Sequence, residues 1–313
     1  MRVMITGAGG FVGKHLIENL KGNHEVIATD RLSSPPIGLR VPYLSMDITD
    51  NKNVREVLQK VIPDAIIHLA AQSMVASAWA DPASTIYINT IGTINLINMI
   101  KDYLPNTILL TIGSGEEYGL SANLGVPLTE EHPCFPQNPY ATSKLAMGQL
   151  ALQLAKKHNL KILHLRPFNH FGPEQQLGYV VSDFASQVAE IEQGRRPALL
   201  KVGNLHAQRD FTDVRDVVQA YTSLLEKGPD SGIYNVCSGF AYSAKQILNI
   251  ILSFASVKIE VEQDPDKLRP SDVPLFLGSS EKLFLTTGWQ PKHQFENSVL
   301  ETLNWWRIRT KAG

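Results

Sequence analysis

Cysteine is scarce in this chain: Cys134 and Cys237 are the only two in 313 residues, which excludes a disulfide framework and a cysteine-rich metal site. An excess of one charge is missing as well. With 29 Lys and Arg against 30 Asp and Glu, the net charge of −1 gives no sign of nucleic-acid or acidic-membrane binding, although local basic sites for a small anion are compatible with it. Long apolar runs are absent, since the longest are strand-sized and fall short of the ~20 residues of a membrane span. No low-complexity tract or fixed-period repeat occurs. The opening MRVMITGAGG reads as a strand and turn, without the apolar run and cleavage site of a signal peptide. The expectation is a soluble, cytoplasmic protein with no bound metal.

What the chain does contain is short apolar runs alternating with helical stretches. RVMIT (2–6), EVIAT (25–29), DAIIHLA (64–70), TILLTIG (107–113) and KILHLRP (161–167) read as buried strands. Helical segments lie near 11–21, 51–61, 82–101 and 139–158, the last two each opened by a capping residue and a proline, Asp81-Pro82 and Asn138-Pro139. Such alternation predicts an α/β fold, a Rossmann-like doubly wound parallel sheet. After Pro167 the rhythm breaks. A helix over 180–193, a strand at 198–202, a helix from about Asp213 to Lys227 and the strand IYNV follow, with a capping box at 243–246. The prediction is a dinucleotide-binding domain of residues 1–167 plus about 207–237. The rest, about 168–206 plus 238–313, forms a smaller C-terminal α/β substrate lobe, and a ligand sits between the two beyond the carboxyl ends of the strands.

TGAGGFVG follows the first strand and opens the first helix. Gly7, Gly10 and Gly13 allow a tight turn, close approach of backbone to a pyrophosphate and tight helix packing, while the helix N-terminus offers amides to phosphate. A glycine-rich turn with no ligand is the plainer alternative. Asp30 ends the second strand about 20 residues further on, where an acid binds ribose hydroxyls and repels a 2′-phosphate. This favours NADH, although Arg31 beside it could accommodate that phosphate, and a simple capping role for Asp30 stays open. Asp47 and Ile48 could meet the adenine or form a plain turn. Tyr140 and Lys144, at i and i+4, share a helix face. With Ser114 past the end of the fifth strand they make a proton-transfer site, the lysine lowering the phenol from its ordinary pKa near ~10; a surface pair is the alternative. His68 reads as structural, not as a ligand.

TGAGGFVG, HLAAQS, Asn89 in INTIGT, Ser114, YATSK and RPFNHFGP together resemble the extended short-chain dehydrogenase/reductase family of nucleotide-sugar enzymes over nearly the whole chain. The resemblance implies NAD(P)H as cofactor, with NADH tolerated or preferred. It gives the cofactor to Gly7, Gly10, Phe11, Val12, Gly13, Asp30, Arg31, Asp47, Ile48, Leu69, Ala70, Ala71, Asn89, Tyr140, Lys144 and Pro167. It makes Tyr140 the catalytic acid/base, Lys144 the ribose-binding cation beside it, and Ser114 the donor to the substrate oxygen. FNHFGP, VGNLHAQRDFTDVRD and LRPSDVPLFLGS are similar to the GDP-mannose branch, and place Ser114, Asn169, Val180, Arg209, Arg269 and Asp272 around a GDP-sugar. Paired arginines and a carboxylate suit a diphosphate and ribose hydroxyls. A homodimer through the 82–101 and 139–158 helices is also implied.

That branch holds both a 4,6-dehydratase and a reductase of the 4-keto-6-deoxymannose product. Glu116 has the spacing of the dehydratase's carbon base. Three departures oppose the dehydratase: Asp183 in YVVSDF stands at a lysine position, RDFTDVRD replaces an RDWGHAKD-like segment, and Asp30 replaces a phosphate-binding basic stretch. The expectation is therefore reduction of the C4 ketone to GDP-D-rhamnose, with dehydration as the rival. A catalytically silent dinucleotide sensor is a rival of another class, which would need no Ser114, Tyr140 or Lys144.

Overall fold

The structure, a computed structural model, describes residues 1–264 and 273–312; Arg269 and Asp272 lie outside the described residues. The elements run β1 (Arg2–Thr6), α1 (Phe11–Leu20), β2 (Glu25–Asp30), β3 (Tyr43–Ser45), α2 (Asn51–Val61), β4 (Ala65–His68), α3 (Val75–Ala80), α4 (Pro82–Ile86) and α5 (Gly92–Tyr103), a π-helical turn at Tyr87–Ile91 joining the last two. β5 (Ile108–Ile112) leads through a 3₁₀ turn at Gly115–Tyr118 to α6 (Pro139–His158) and β6 (Ile162–Pro167). Then come β7 (Asn169–Phe171), α7 (Val180–Glu192), β8 (Leu199–Val202), β9 (Gln208–Asp213), α8 (Val214–Lys227), β10 (Gly232–Val236), β11 (Ala241–Ser243), α9 (Ala244–Ser253), β12 (Glu260–Gln263), β13 (Leu275–Phe276), α10 (Glu281–Thr287) and α11 (Phe295–Ala312).

Seven strands form a parallel sheet in the order β3-β2-β1-β4-β5-β6-β10. Its strands are apolar on both sides because helices cover both faces. Ile5, Ile67, Leu110 and Leu165 pack toward α1 and α8, while Met4, Ile66, Leu109 and Ile162 pack toward α2, α5 and α6. Helix starts follow the expected chemistry. Asp50 accepts from the amides of Lys52 and Asn53, Asp81 from Ser84, and Asn138 from Ala141, with prolines at the first helical position of α4 and α6. The 243–246 capping box opens α9 as its spacing predicts.

The second lobe has its own core of Phe171, Phe184, Val188, Phe211, Ile247, Val299 and Leu303, over a sheet in which β9 pairs with β7, β11 and β13. This redraws the expected partition. Residues 208–213 belong to the second lobe's sheet, and the return to the first sheet begins with α8 and is completed by β10 beside β6. Leu283 of α10 and the nearby Trp289 also join the first lobe's core, late in the chain. Sheet order reverses between β1 and β4, so the crevice above their carboxyl ends is where a ligand belongs.

Candidate active site

The turn after β1 is shaped to take a diphosphate. Gly7 has φ +67°, and a Cβ there would lie 2.7 Å from the Ala70 nitrogen, so Leu69 and Ala70 close directly over the turn. Gly10 caps α1 without a side-chain hydrogen bond, and no acidic residue occupies the first turn, which leaves the helix amides directed at an anion. Asp30 lies beside this cradle: Oδ2 accepts from the Gly9 amide at 3.0 Å and Oδ1 from the Arg31 amide at 2.8 Å. Gly13 is buried, Val12 packs on the core, and Phe11 stacks on His170 at 6.2 Å, tying the cradle to the second lobe. A dinucleotide fits these residues.

Ser114 caps the 3₁₀ turn after β5, its Oγ accepting from the Glu116 amide at 3.1 Å. Tyr140 stands in the first turn of α6, and Ser114 is among the groups that act on its phenol. Lys144, 5% exposed, is one turn on; its Nζ donates to the Ile112 carbonyl at 2.7 Å and lies 5.9 Å from the Tyr140 ring centroid. Burial pulls Lys144 down to about 8. The phenol behaves otherwise than the sequence suggested. Burial first, then the Glu116 charge, push Tyr140 above its ordinary value, with the Ser114 hydrogen bond opposing them. Desolvation and two nearby carboxylates outweigh what lowers it. A phenol so held stays protonated, the form that donates.

Glu116 is half-buried; its Oε2 accepts from the Asn138 amide at 2.8 Å, and its charge reaches Arg209. Arg209 donates to the Val273 carbonyl at 3.0 Å; burial lowers its pKa and Glu116 partly offsets this. Asn169 is exposed at the start of β7, Pro167 is buried at the end of β6, and Val180 begins α7, where Asp183 Oδ1 accepts from the Gly178 amide at 2.7 Å. β7 and β9 are paired, so Asn169 and Arg209 lie on neighbouring strands.

Three of the expected cofactor residues, Asn89, Asp47 and Ile48, also hold local structure. Asn89 is 0% exposed, and its amide serves Gln72 and Ser143, so it braces the loop after β4 against α6. Asp47 is taken up in an Asx turn with Thr49, and the Ile48 side chain is core, packed against Gly92. His68 is buried between Thr6 and Thr93 hydroxyls, and burial together with Lys144 lowers it to about 3, so it stays neutral. Sequence reasoning passed over Glu117. Its 0% exposed carboxylate accepts from the Ser114 amide at 2.9 Å and from Arg166 at 2.8 Å. The S-x-x-E spacing of 114–117 was the available signal.

Fold and site together define a dinucleotide-dependent oxidoreductase with a Ser-Tyr-Lys centre. The GDP-mannose 4,6 dehydratase family matches residues 4–302, and the chain belongs to that family. It is 37% identical over 310 residues to the GDP-6-deoxy-D-mannose reductase of Pseudomonas aeruginosa, covering 99% of this chain and 98% of that one. The structure of RMD from Pseudomonas aeruginosa complexed with NADPH superposes with a TM-score of 0.88 at 35% identity, covering 98% and 99% of the two chains. The Thermus thermophilus UDP-glucose 4-epimerase complex with NAD gives 0.86 at 30% identity, covering 98% and 99%.

Proposed function

We propose that this protein reduces the C4 ketone of GDP-4-dehydro-6-deoxy-D-mannose to GDP-D-rhamnose with NAD(P)H. The observation that carries the reading is that the end of β5 and the first turns of α6 bring Ser114, Tyr140 and Lys144 together, the lysine 5.9 Å from the tyrosine ring. When bound, the dihydronicotinamide supplies a hydride to C4. Tyr140 gives its proton to the developing alkoxide, Ser114 holds that oxygen, and the Lys144 ammonium binds ribose hydroxyls next to the phenol. Arg209, Asn169 and Val180, with Arg269 and Asp272, take the GDP-sugar. The full-length similarity to a reductase supports reduction over dehydration.

Dehydration rests on Glu116, whose carboxylate is already engaged by Asn138. A dehydratase returns its hydride to the same sugar and consumes no cofactor, whereas a reductase oxidises one NAD(P)H per ketone. The expected result is stoichiometric NAD(P)H loss with the 4-keto sugar and no conversion of GDP-mannose. In Glu116→Gln, ketone reduction should remain measurable, because hydride delivery needs no carbon base. Formation of the 4-keto-6-deoxy sugar from GDP-mannose, abolished in Glu116→Gln, would establish the dehydratase instead.

We further infer a cytoplasmic homodimer. Both cysteines are free, in keeping with a reducing compartment. The stretch from α4 to α6 exposes Tyr87, Ile91, Tyr103 and Leu150, side chains that a second copy would cover.

A further inference from the structure

A carboxylate removed from water costs several kcal/mol unless it is paired on every side. Glu117 meets that condition. Oε1 accepts from the Ser114 amide at 2.9 Å and lies 3.1 Å from His164 Nε2, while Oε2 accepts from Arg166 Nε at 2.8 Å. Two glycines make the room. A Cβ at Gly113 would come within 2.2 Å of Glu117 Oε1, and one at Gly148 within 2.4 Å of His164 Nε2. The pair therefore lies between β5, β6 and α6, directly behind the catalytic serine.

We propose that Glu117 is the positioning residue of the active site: clamped by His164 and Arg166, its carboxylate fixes the Ser114 backbone and supplies a permanent negative charge facing Tyr140 and Lys144. This rests on the reductase reading above. The serine is held at both ends, by Glu117 at its own amide and by the Glu116 amide at its Oγ, so its hydroxyl proton stays available to the substrate oxygen. The charged and titratable groups facing Glu117 are His164 and Arg166 from β6, Tyr140 and Lys144 from α6, and Cys134 and Tyr118 near Arg166. Burial and Glu116 push the phenol up and Glu117 adds to that; burial pulls Lys144 down to about 8 and Glu117 resists that pull.

Glu117→Gln keeps an acceptor for the Ser114 amide, removes the charge and gives up the acceptor that Arg166 uses. In the full-length enzyme its kcat for ketone reduction should lose its alkaline limb at a pH lower by about half a unit or more, with KM little changed. Because this leaves the buried Arg166 charge without its partner, Glu117→Gln/Arg166→Met is measured beside it, and a shift in the same direction is expected. An unmoved profile in folded variants overturns the proposal. Glu117→Asp keeps the charge but shortens its reach to the Ser114 amide, so its kcat should fall with the alkaline limb unmoved, and an unchanged kcat overturns the proposal even where the glutamine variants fail to fold. Absence of ketone reduction by the wild type would instead strike the reductase reading.

Discussion

Tyr140 and Lys144 share one face of α6, yet burial drives their hold on a proton in opposite directions. The phenol keeps its proton more tightly than in water, and the lysine less tightly, at about 8. Tyr140→Phe keeps the ring and removes the donor, so turnover should fall by about 10²-fold or more while GDP and cofactor still bind. Turnover near that of the wild type would make the tyrosine a bystander. For Lys144 the sign follows from which form binds. The cation donates to ribose hydroxyls, so cofactor affinity is fully present below about 8 and is lost as pH rises through that value. An exposed lysine would hold its charge to ~10.4. The NADH dissociation constant, measured by fluorescence, should rise several-fold between about pH 7 and 9.5, and Lys144→Met should bind weakly with no such slope. A flat wild-type curve would separate the lysine from cofactor binding.

The glycine turn and the end of β2 act as one element, joined by the Asp30 bond to the Gly9 amide. A carboxylate fixed there meets a 2′-phosphate with repulsion, so NADH should be used at least as well as NADPH, and Asp30→Ala should lessen the discrimination. A wild-type preference for NADPH of about tenfold, or ~1.4 kcal/mol, would mean that Arg31 or another basic group dominates. This element was legible because its signals are local: an apolar run, glycines at fixed offsets, and an acid at the next strand's end. The caps at Asp81, Asn138 and Ser243 were legible for the same reason. Helix α3 was not, since its start at Met74 has no side-chain cap and its first turn has no acid. Nor was the π turn at Tyr87–Ile91. Its extra residue turns both Asn89 and Thr90 inward, where both bond Ser143 of α6, and only the packed partner reveals that. The pairing of β9 with β7 outside the first sheet and the Glu117–Arg166 bond likewise join residues 42 and 49 positions apart in sequence, beyond the reach of pattern.

At the scale of the whole molecule, α4, α5 and α6 pack together and leave Tyr87, Ile91 and Leu150 partly bare, at 51%, 39% and 37% exposure. The proposed dimer buries them. Tyr87→Glu/Leu150→Glu should convert a dimeric mass to a monomeric one in light scattering, with secondary structure retained, because a charge in an apolar interface is costly. A wild-type protein that is already monomeric at micromolar concentration would remove the dimer.

The seven-stranded sheet closes in an unusual sequence of events for a growing chain. Its outermost strand on one side, β10, is Gly232–Val236, whereas its neighbour β6 is finished at Pro167. Between them the ribosome must make α7, β8 and β9, which belong to the other lobe. During that interval the emerging first lobe carries β6 as an open edge, with apolar side chains on both faces and α8 not yet present to cover one of them. The completed sheet therefore appears only after most of the protein has been translated. The stretch of synthesis between β6 and β10 is when this nascent chain most needs a chaperone, or is most prone to pair with a copy from the next ribosome.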